Sequence, residues 1–344
     1  MGCVGPQHRI IRDKGQCFNR TPNCDPFLHF NSQTNKQTNN TLHHPPTMTI
    51  LITGSLGKTS IRLARLLEAS STPFIIASRR PASEIPFPST HFDWFDPSTF
   101  APALTHSPPI TAIYIVPPEI PSPSPTVNAF IDIALSHSVN KFILLAGTTA
   151  QKGGPYVGGI WAHLSTLAEQ QSAKAEGHDL EYAILRPTWF MQNFSEGQHP
   201  QSIKLDSAIY TCAGDGRAWF ISADDISLFA SRLLTRAEPL GDKDYILLGP
   251  ALYSHADIAA LLSKILNREV KHVGKSAEEM KVQYTKVGVA ELYVNILPYL
   301  EGLLAQGFEE KVEDTGAFEQ VVGRKAVGFE EFAEREKGRG VWGS

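Results

Sequence analysis

Met48-Thr49-Ile50-Leu51-Ile52-Thr53-Gly54-Ser55-Leu56-Gly57-Lys58-Thr59-Ser60 opens a unit that closes at Phe74-Ile75-Ile76-Ala77-Ser78-Arg79-Arg80. An apolar run enters a glycine-rich turn, an amphipathic stretch follows, and a second apolar run ends on two arginines. The order strand, turn, helix, strand is that of a dinucleotide-binding unit. Gly54 lets the chain turn sharply out of the strand. Gly57 has no side chain to hold a pyrophosphate away from the backbone. The helix that starts there offers free N–H groups and the positive end of its dipole. Ser60 fills the third small position, which still allows helix and strand to pack closely.

Working outward, apolar runs alternate with helical stretches. Strands are expected over 49–53, 73–77, 89–93, 110–116, 141–146 and 181–186, with helices near 57–69, 98–104, 124–137 and 161–174. The nearly continuous apolar character of the strands fits a sheet covered on both faces. The fold class is therefore α/β: a Rossmann-like, doubly wound parallel sheet over 48–187. After Pro187 the rhythm loosens. Helices near 225–235, 254–266, 276–286 and 289–305 and short strands near 209–211, 244–248 and 270–273 suggest a smaller C-terminal α+β region, 188–344, that covers the substrate. Ser254 before His255-Ala256-Asp257 reads as a helix start. Residues 1–47 are rich in Asn, Thr, Gln and Pro without periodicity, and are expected to be a disordered extension. Met48, directly before the first strand, is where a chain of this class normally begins.

Composition narrows the function. The 344 residues are 42% apolar and 19% charged, with a net charge of −4. That balance gives no general attraction to nucleic acid or an anionic membrane. No run is apolar for the roughly 18 residues a span needs. Cys3, Cys17 and Cys24 lie in the first 24 residues without metal-ligand spacing, and Cys212 stands alone in the body. No metal site is expected, and a reducing, cytoplasmic compartment fits.

The residue that ends strand two normally reads the adenosine ribose: an acid favours NAD, an arginine the 2′-phosphate of NADP. Here the strand ends in Ser78-Arg79-Arg80, which favours NADPH/NADP. Lys58 adds charge at the turn. The cofactor-binding residues expected from topology are Thr53, Gly54, Ser55, Leu56, Gly57, Lys58, Ser78, Arg79 and Arg80. Asp93 and Trp94 after strand three, Val116 and Pro117 after strand four, and Gly147 after strand five join them. Trp94 has core packing as its alternative reading. The hydroxyls of Thr148 and Thr149 are placed to face the reacting carbon.

Gly-x-x-Gly-x-x-Ser is the spacing of extended or atypical short-chain dehydrogenases, yet the usual Tyr-x-x-x-Lys proton relay is missing. Tyr156 lies in the right region, but Ile160 stands four residues on and Lys152 precedes it. Hydride addition to a carbonyl makes an alkoxide and needs a proton donor. Either the protein only senses the cofactor, or its substrate needs no proton in the hydride step. An iminium ion meets that condition, since hydride turns it directly into a neutral amine. Aromatic walls suit such a cation through stacking and cation–π attraction. Arg186-Pro187-Thr188-Trp189-Phe190-Met191-Gln192-Asn193-Phe194 supplies that material. The expected substrate pocket is Tyr156, His163, Trp189, Phe190, Met191 and Asn193, with no catalytic residue assigned. His163 is a candidate proton donor, or a helix-face histidine with a structural partner.

Phe92-Asp93-Trp94-Phe95-Asp96, Gln151-Lys152-Gly153-Gly154-Pro155 and Leu185-Arg186-Pro187-Thr188-Trp189-Phe190-Met191-Gln192-Asn193-Phe194 together resemble the fungal ergot-alkaloid reductases. These are the agroclavine dehydrogenase and festuclavine synthase group of NmrA-like atypical short-chain dehydrogenases. The resemblance runs from Met48 to about Trp342. It implies an NADPH-dependent reductase acting on the cyclic iminium formed from chanoclavine-I aldehyde, an indole alkaloid precursor, to give a clavine. It also raises the upstream isomerase or reductase of that pathway as a partner. Two departures stand out: the turn is Gly-Ser-Leu-Gly-Lys rather than a Gly-Gly-Thr-Gly-Arg type, and Trp161-Ala162-His163 replaces a His-Gly-His-like segment. The competing readings are an NmrA-like, non-enzymatic NADP sensor and an isoflavone- or quinone-reductase-like enzyme.

Overall fold

Seven parallel strands form the central sheet of the computed structural model, which describes residues 48–173, 180–240 and 243–343. The expected 1–47 extension with its three cysteines, and residue 174 at the end of the expected fourth helix, lie outside that range. The first half runs β1 (Thr49–Ile52), α1 (Lys58–Ala69), β2 (Phe74–Ser78), β3 (Ser89–His91), α2 (Phe100–Leu104), β4 (Ile110–Ile115), α3 (Ser124–Ser136), β5 (Lys141–Leu145), α4 (Gly158–Ser172) and β6 (Glu181–Pro187). The second runs α5 (Pro200–Leu205), β7 (Ala208–Thr211), β8 (Arg217–Trp219), α6 (Ala223–Thr235), β9 (Lys243–Leu247), β10 (Leu252–Ser254), α7 (His255–Leu266), β11 (Lys271–Gly274), α8 (Ala277–Lys286), α9 (Glu291–Ala305), α10 (Ala317–Val322) and α11 (Phe329–Gly338).

The sheet order is β3-β2-β1-β4-β5-β6-β9. Both faces are covered. Leu63, Leu67, Phe229, Leu233 and Phe318 from α1, α6 and α10 pack on one side. Phe100, Phe130, Ile131 and Leu164 from α2, α3 and α4 pack on the other. Each such side chain contributes about 1.5–3 kcal/mol by leaving water. This is the doubly wound sheet expected from the run of apolar strands.

The chain after Pro187 divides its work. β9 returns to the sheet beside β6, with Leu185 opposite Tyr245, and α6 lies on the same face as α1. The rest gathers around a third core of Met191, Phe194, Phe220, Phe329 and Trp342, with small pairs β10–β8 and β11–β7. The strands Arg217–Trp219 and Leu252–Ser254 are too short for a periodicity to announce them. α7 starts as its sequence predicts: Ser254 accepts from the Asp257 N–H, and Asp257 reaches back to the Ser254 N–H. The α1–α6 contact is fastened by polar groups. Arg62 Nε donates to Asp224 Oδ1 at 2.9 Å, and Ser227 Oγ donates to the Thr59 carbonyl at 2.9 Å.

A column of imidazoles runs through the third core. His199 stacks on Phe194 with centroids 5.0 Å apart, and His255 lies 6.0 Å from His199 and 5.8 Å from His272. Burial pushes His199 down from 6.5 to about 3, and also lowers His255 and His272. The unfolded chain therefore takes up protons first as pH falls. This contribution to stability is complete above pH 6.5 and is lost progressively toward pH 3. Urea unfolding at pH 5 should give a stability lower than at pH 7 by about 2 kcal/mol for His199 alone. Equal stability at both values would contradict the buried, neutral column.

Candidate functional site

The turn between β1 and α1 is held from three sides. Thr53 Oγ1 accepts the Val116 N–H at 2.7 Å, which ties the carboxyl end of β1 to that of β4. Ser60 Oγ donates to the Thr53 carbonyl at 2.8 Å and closes the first turn of α1 onto the strand. Gly54 has φ +82°, and a Cβ there would lie 2.8 Å from Val116 Cβ and 2.9 Å from Ser60 Oγ. No larger residue fits. Ser55 Oγ meets Ser78 Oγ at 2.8 Å, so the turn is also tied to the end of β2.

A groove of about 300 Å³ lies over this turn, lined by Gly54, Ser55, Leu56, Gly57, Ser78, Arg79 and Arg80. Arg79 and Arg80 are exposed at its edge. Gly57 caps α1 with no side chain, so the first N–H groups of that helix face outward. All seven residues were expected from the sequence. Other expected contacts behave differently. Trp94 packs edge-on against Phe92 at 4.7 Å and Phe130 at 5.3 Å, which is the core reading. Asp93 Oδ1 accepts the Phe95 N–H in a local turn. Val116 follows β4 beside Gly54, and a Cβ on Gly147 would lie 3.8 Å from the Pro187 carbonyl.

Lys58 Nζ donates to Asn193 Oδ1 at 3.4 Å, across to the segment after β6. Burial pulls its ammonium below the usual value, while Glu196 and Glu119 hold it up. Arg62, one turn on, pairs with Glu196 and Asp224.

Tyr156 precedes α4 in a left-handed conformation, φ +58°, and its carbonyl accepts from Ser124 Oγ at 2.8 Å. The Gln-Lys-Gly-Gly-Pro loop before it needs Gly153 at φ +77°, and a Cβ on Gly158, just after Tyr156, would collide with the Gln151 carbonyl. Burial raises the Tyr156 phenol, and that of Tyr293 on α9, above the ordinary tyrosine range. Lys152 is turned away, with Nζ on Ser165 Oγ at 2.5 Å and near Glu169. No Tyr–Lys relay exists here.

The rest of the expected pocket divides. Phe190 is partly buried and packs against the core on the α1 and α6 side of the sheet. Trp189 is partly buried against the third core. Met191 is fully buried in that core and cannot meet a ligand, a correction to its expected place. His163 is likewise not a pocket group: its Nε2 pairs with Asp132 Oδ1 at 2.7 Å, joining α4 to α3. The Thr148 hydroxyl donates to buried Glu309 at 2.5 Å, and Thr188 Oγ1 to the same carboxyl at 2.7 Å. It is spent on fastening β5 to β6. Sequence reasoning missed Glu309, which lies in no motif and is brought to Thr148 and Thr188 by long-range folding alone.

No family model matches the chain. Curated relatives do. An agroclavine dehydrogenase of Claviceps fusiformis is 36% identical over 300 residues, 86% of this chain and 99% of that protein. The chain belongs to the fungal agroclavine dehydrogenase and festuclavine synthase family. A festuclavine synthase I of Penicillium roqueforti is another such relative, 34% identical over 86% of this chain and all of its own length. Among solved structures, a Citrobacter triphenylmethane reductase complexed with NADP(H) matches with a TM-score of 0.67 at 17% identity, covering 83% of this chain and 99% of that one. At that identity the likeness speaks for the fold. As a member of its family the chain is an oxidoreductase. Among the described residues no helix is long and apolar enough to cross a membrane.

Gly54→Ala should cost about 1–3 kcal/mol of stability, because it forces an L side chain into a left-handed turn. It should also abolish dinucleotide binding, read by quenching of tryptophan fluorescence on NADPH titration. Retained binding would show that the turn has room the structure denies it.

Proposed function

We propose that the protein is an NADPH-dependent reductase that delivers hydride to a cyclic iminium derived from chanoclavine-I aldehyde, forming a clavine such as agroclavine or festuclavine. The observation that carries this reading is the strand-end cleft without a proton relay. Lys152 is bound to Ser165, His163 to Asp132, and the Thr148 hydroxyl to Glu309. What remains at the cleft is phenolic, aromatic and partly charged, which suits a flat cation better than a developing alkoxide.

The cofactor assignment rests on fit. The groove over Gly54–Gly57 admits a diphosphate at the α1 amino end, and the exposed Arg79 and Arg80 suit a 2′-phosphate. When bound, NADPH supplies the hydride. Ser55 and Ser78 fix the groove wall, and Leu56 adds an apolar side chain to its lining. The protein's part is to hold the iminium carbon in position, and proximity accounts for much of the rate. The electron pair added to carbon discharges the nitrogen, so no group on the chain has to give a proton.

Two experiments follow. Replacing Arg79 and Arg80 by Ala should raise the KM for NADPH on the order of tenfold or more, with little change for NADH, since a charged hydrogen bond carries about 1.5–3 kcal/mol. Equal effects on both cofactors would remove the 2′-phosphate assignment. Purified protein mixed with NADPH and chanoclavine-I aldehyde, with a thiol to permit ring closure, should consume NADPH and yield a clavine by mass spectrometry. Tight NADPH binding without turnover of any cyclised iminium would favour a sensor, and turnover of neutral quinones alone a quinone reductase.

A further inference from the structure

We propose that Glu309 is a positioning residue for hydride transfer, acting through Thr148 and Thr188 to set the cofactor side of the cleft against the substrate side. The proposal rests on the reading of the strand-end cleft as a hydride-transfer site. Glu309 opens the short turn Glu309–Lys311 that follows α9, and it is 1% exposed. One carboxyl oxygen accepts the Thr148 hydroxyl at 2.5 Å, and the other accepts the Thr188 hydroxyl at 2.7 Å. Its backbone carbonyl accepts Trp219 Nε1 at 3.2 Å, which brings β8 to the same place. In an open α/β sheet, ligands bind outside the carboxyl ends of the strands, and both threonines stand there, after β5 and β6.

The two threonines belong to the two sides that have to meet. Thr148 follows Gly147, an expected cofactor contact, and Thr188 precedes Trp189 and Phe190, expected walls of the substrate pocket. Every polar atom of Thr148 is committed. Its N–H donates to the Pro187 carbonyl at 3.2 Å, its carbonyl accepts Arg186 Nη2 at 2.8 Å, and its hydroxyl goes to Glu309. The Thr188 N–H donates to the Leu247 carbonyl at 3.1 Å, which ties in the end of β9. All three side chains are buried, so they set where other groups stand and touch no ligand themselves. Packing alone gives no reason for a carboxyl here. Among the described residues it forms no ion pair within 4.0 Å, and its side-chain partners are two neutral hydroxyls. A buried carboxyl without a cation costs stability that an apolar side chain would not. What it offers instead is two acceptor oxygens on one planar group, able to join hydroxyls from two different strands.

This role has a kinetic signature. Transfer needs the reacting atoms about 3–3.5 Å apart, and a displacement of about 1 Å can slow it on the order of 100-fold. The groove that suits the phosphates lies elsewhere, at Gly54–Gly57 with Arg79 and Arg80. Loss of the Glu309 clamp therefore slows the chemical step and changes the surroundings of the nicotinamide ring, while NADPH affinity holds. A side chain needed only for folding would lower Tm and NADPH affinity together.

The test compares wild type with Glu309→Ala, Glu309→Gln and the double variant Thr148→Val with Thr188→Val. Single-turnover reduction of the iminium formed from chanoclavine-I aldehyde and a thiol should slow by about tenfold or more in Glu309→Ala, with NADPH Kd unchanged. Glu309→Gln should recover most of the rate, because a hydroxyl can accept from the amide as well as donate to it. Adding both valines to Glu309→Ala should slow the step no further, since all three act through one carboxyl. An unchanged rate in Glu309→Ala, a fall matched by weaker NADPH binding, or losses that add in full would each overturn the proposal. If Glu309→Ala does not fold, the double valine variant, which keeps both side-chain shapes, carries the same expectations and the same contradictions. Emission of the bound reduced nicotinamide, read without substrate, separates the two readings. It should shift in Glu309→Ala at unchanged Kd, and an unshifted emission overturns the proposal whatever the rate. A shift in a protein that reduces no iminium would keep the clamp and remove the reductase. Reduction by wild type, with emission insensitive to Glu309, would do the reverse. No reduction and no shift overturns both.

Discussion

Between β1 and α1 there is room for a backbone and nothing more. Val116 from β4 and Ser60 from α1 close on Gly54 to less than 3 Å of where a methyl would stand. That contact holds the ends of β1 and β4 close to the start of α1. It leaves the amino end of α1 open and directs its N–H groups outward beside Ser78, Arg79 and Arg80. Thr53 and Ser60 spend their hydroxyls on neighbouring backbone to keep the turn closed. The groove is thus a consequence of close packing, and its anion preference follows from what the packing leaves unpaired.

The same end of the sheet shows how little proton chemistry the chain retains there. Groups that serve as acids elsewhere are tied to partners: Lys152 to Ser165, His163 to Asp132, Thr148 and Thr188 to Glu309. Each bond stiffens the connection between adjacent strands or helices, and each removes a donor from the cleft. A cleft of this kind has positioning and charge recognition to offer. Those are the demands of a substrate whose carbon is already electron-poor.

Much of this was legible in the sequence. Continuous apolar runs marked β1, β2, β4, β5 and β6 because strands buried on both faces need them, whereas the edge strand β3 is the polar Ser89-Thr90-His91. The serine at 254 marked α7 through a capping bond that depends on neighbouring residues alone. The glycine groove was legible for the same reason: its seven lining residues belong to two short segments. What escaped was set by distance along the chain. Met191 sits among pocket aromatics in sequence, yet β8 and α11 draw it into the third core. The bond from Lys58 to Asn193 spans 135 residues, and neither segment announces it. Glu309 belongs to no motif, and only long-range folding brings its carboxyl to Thr148 and Thr188. The placement of β9 beside β6 was hidden similarly, since a five-residue strand carries no sign of which neighbour it will join.

The central claim is that hydride passes to a cationic carbon with no proton in flight. Single-turnover reduction of a preformed cyclic iminium, followed at the nicotinamide absorbance band, tests it most directly. The step should slow when the transferred hydrogen of NADPH is replaced by deuterium, and it should run at the same rate in H₂O and D₂O. A clear slowing in D₂O on that same step would mean that a proton moves with the hydride, and would contradict the account.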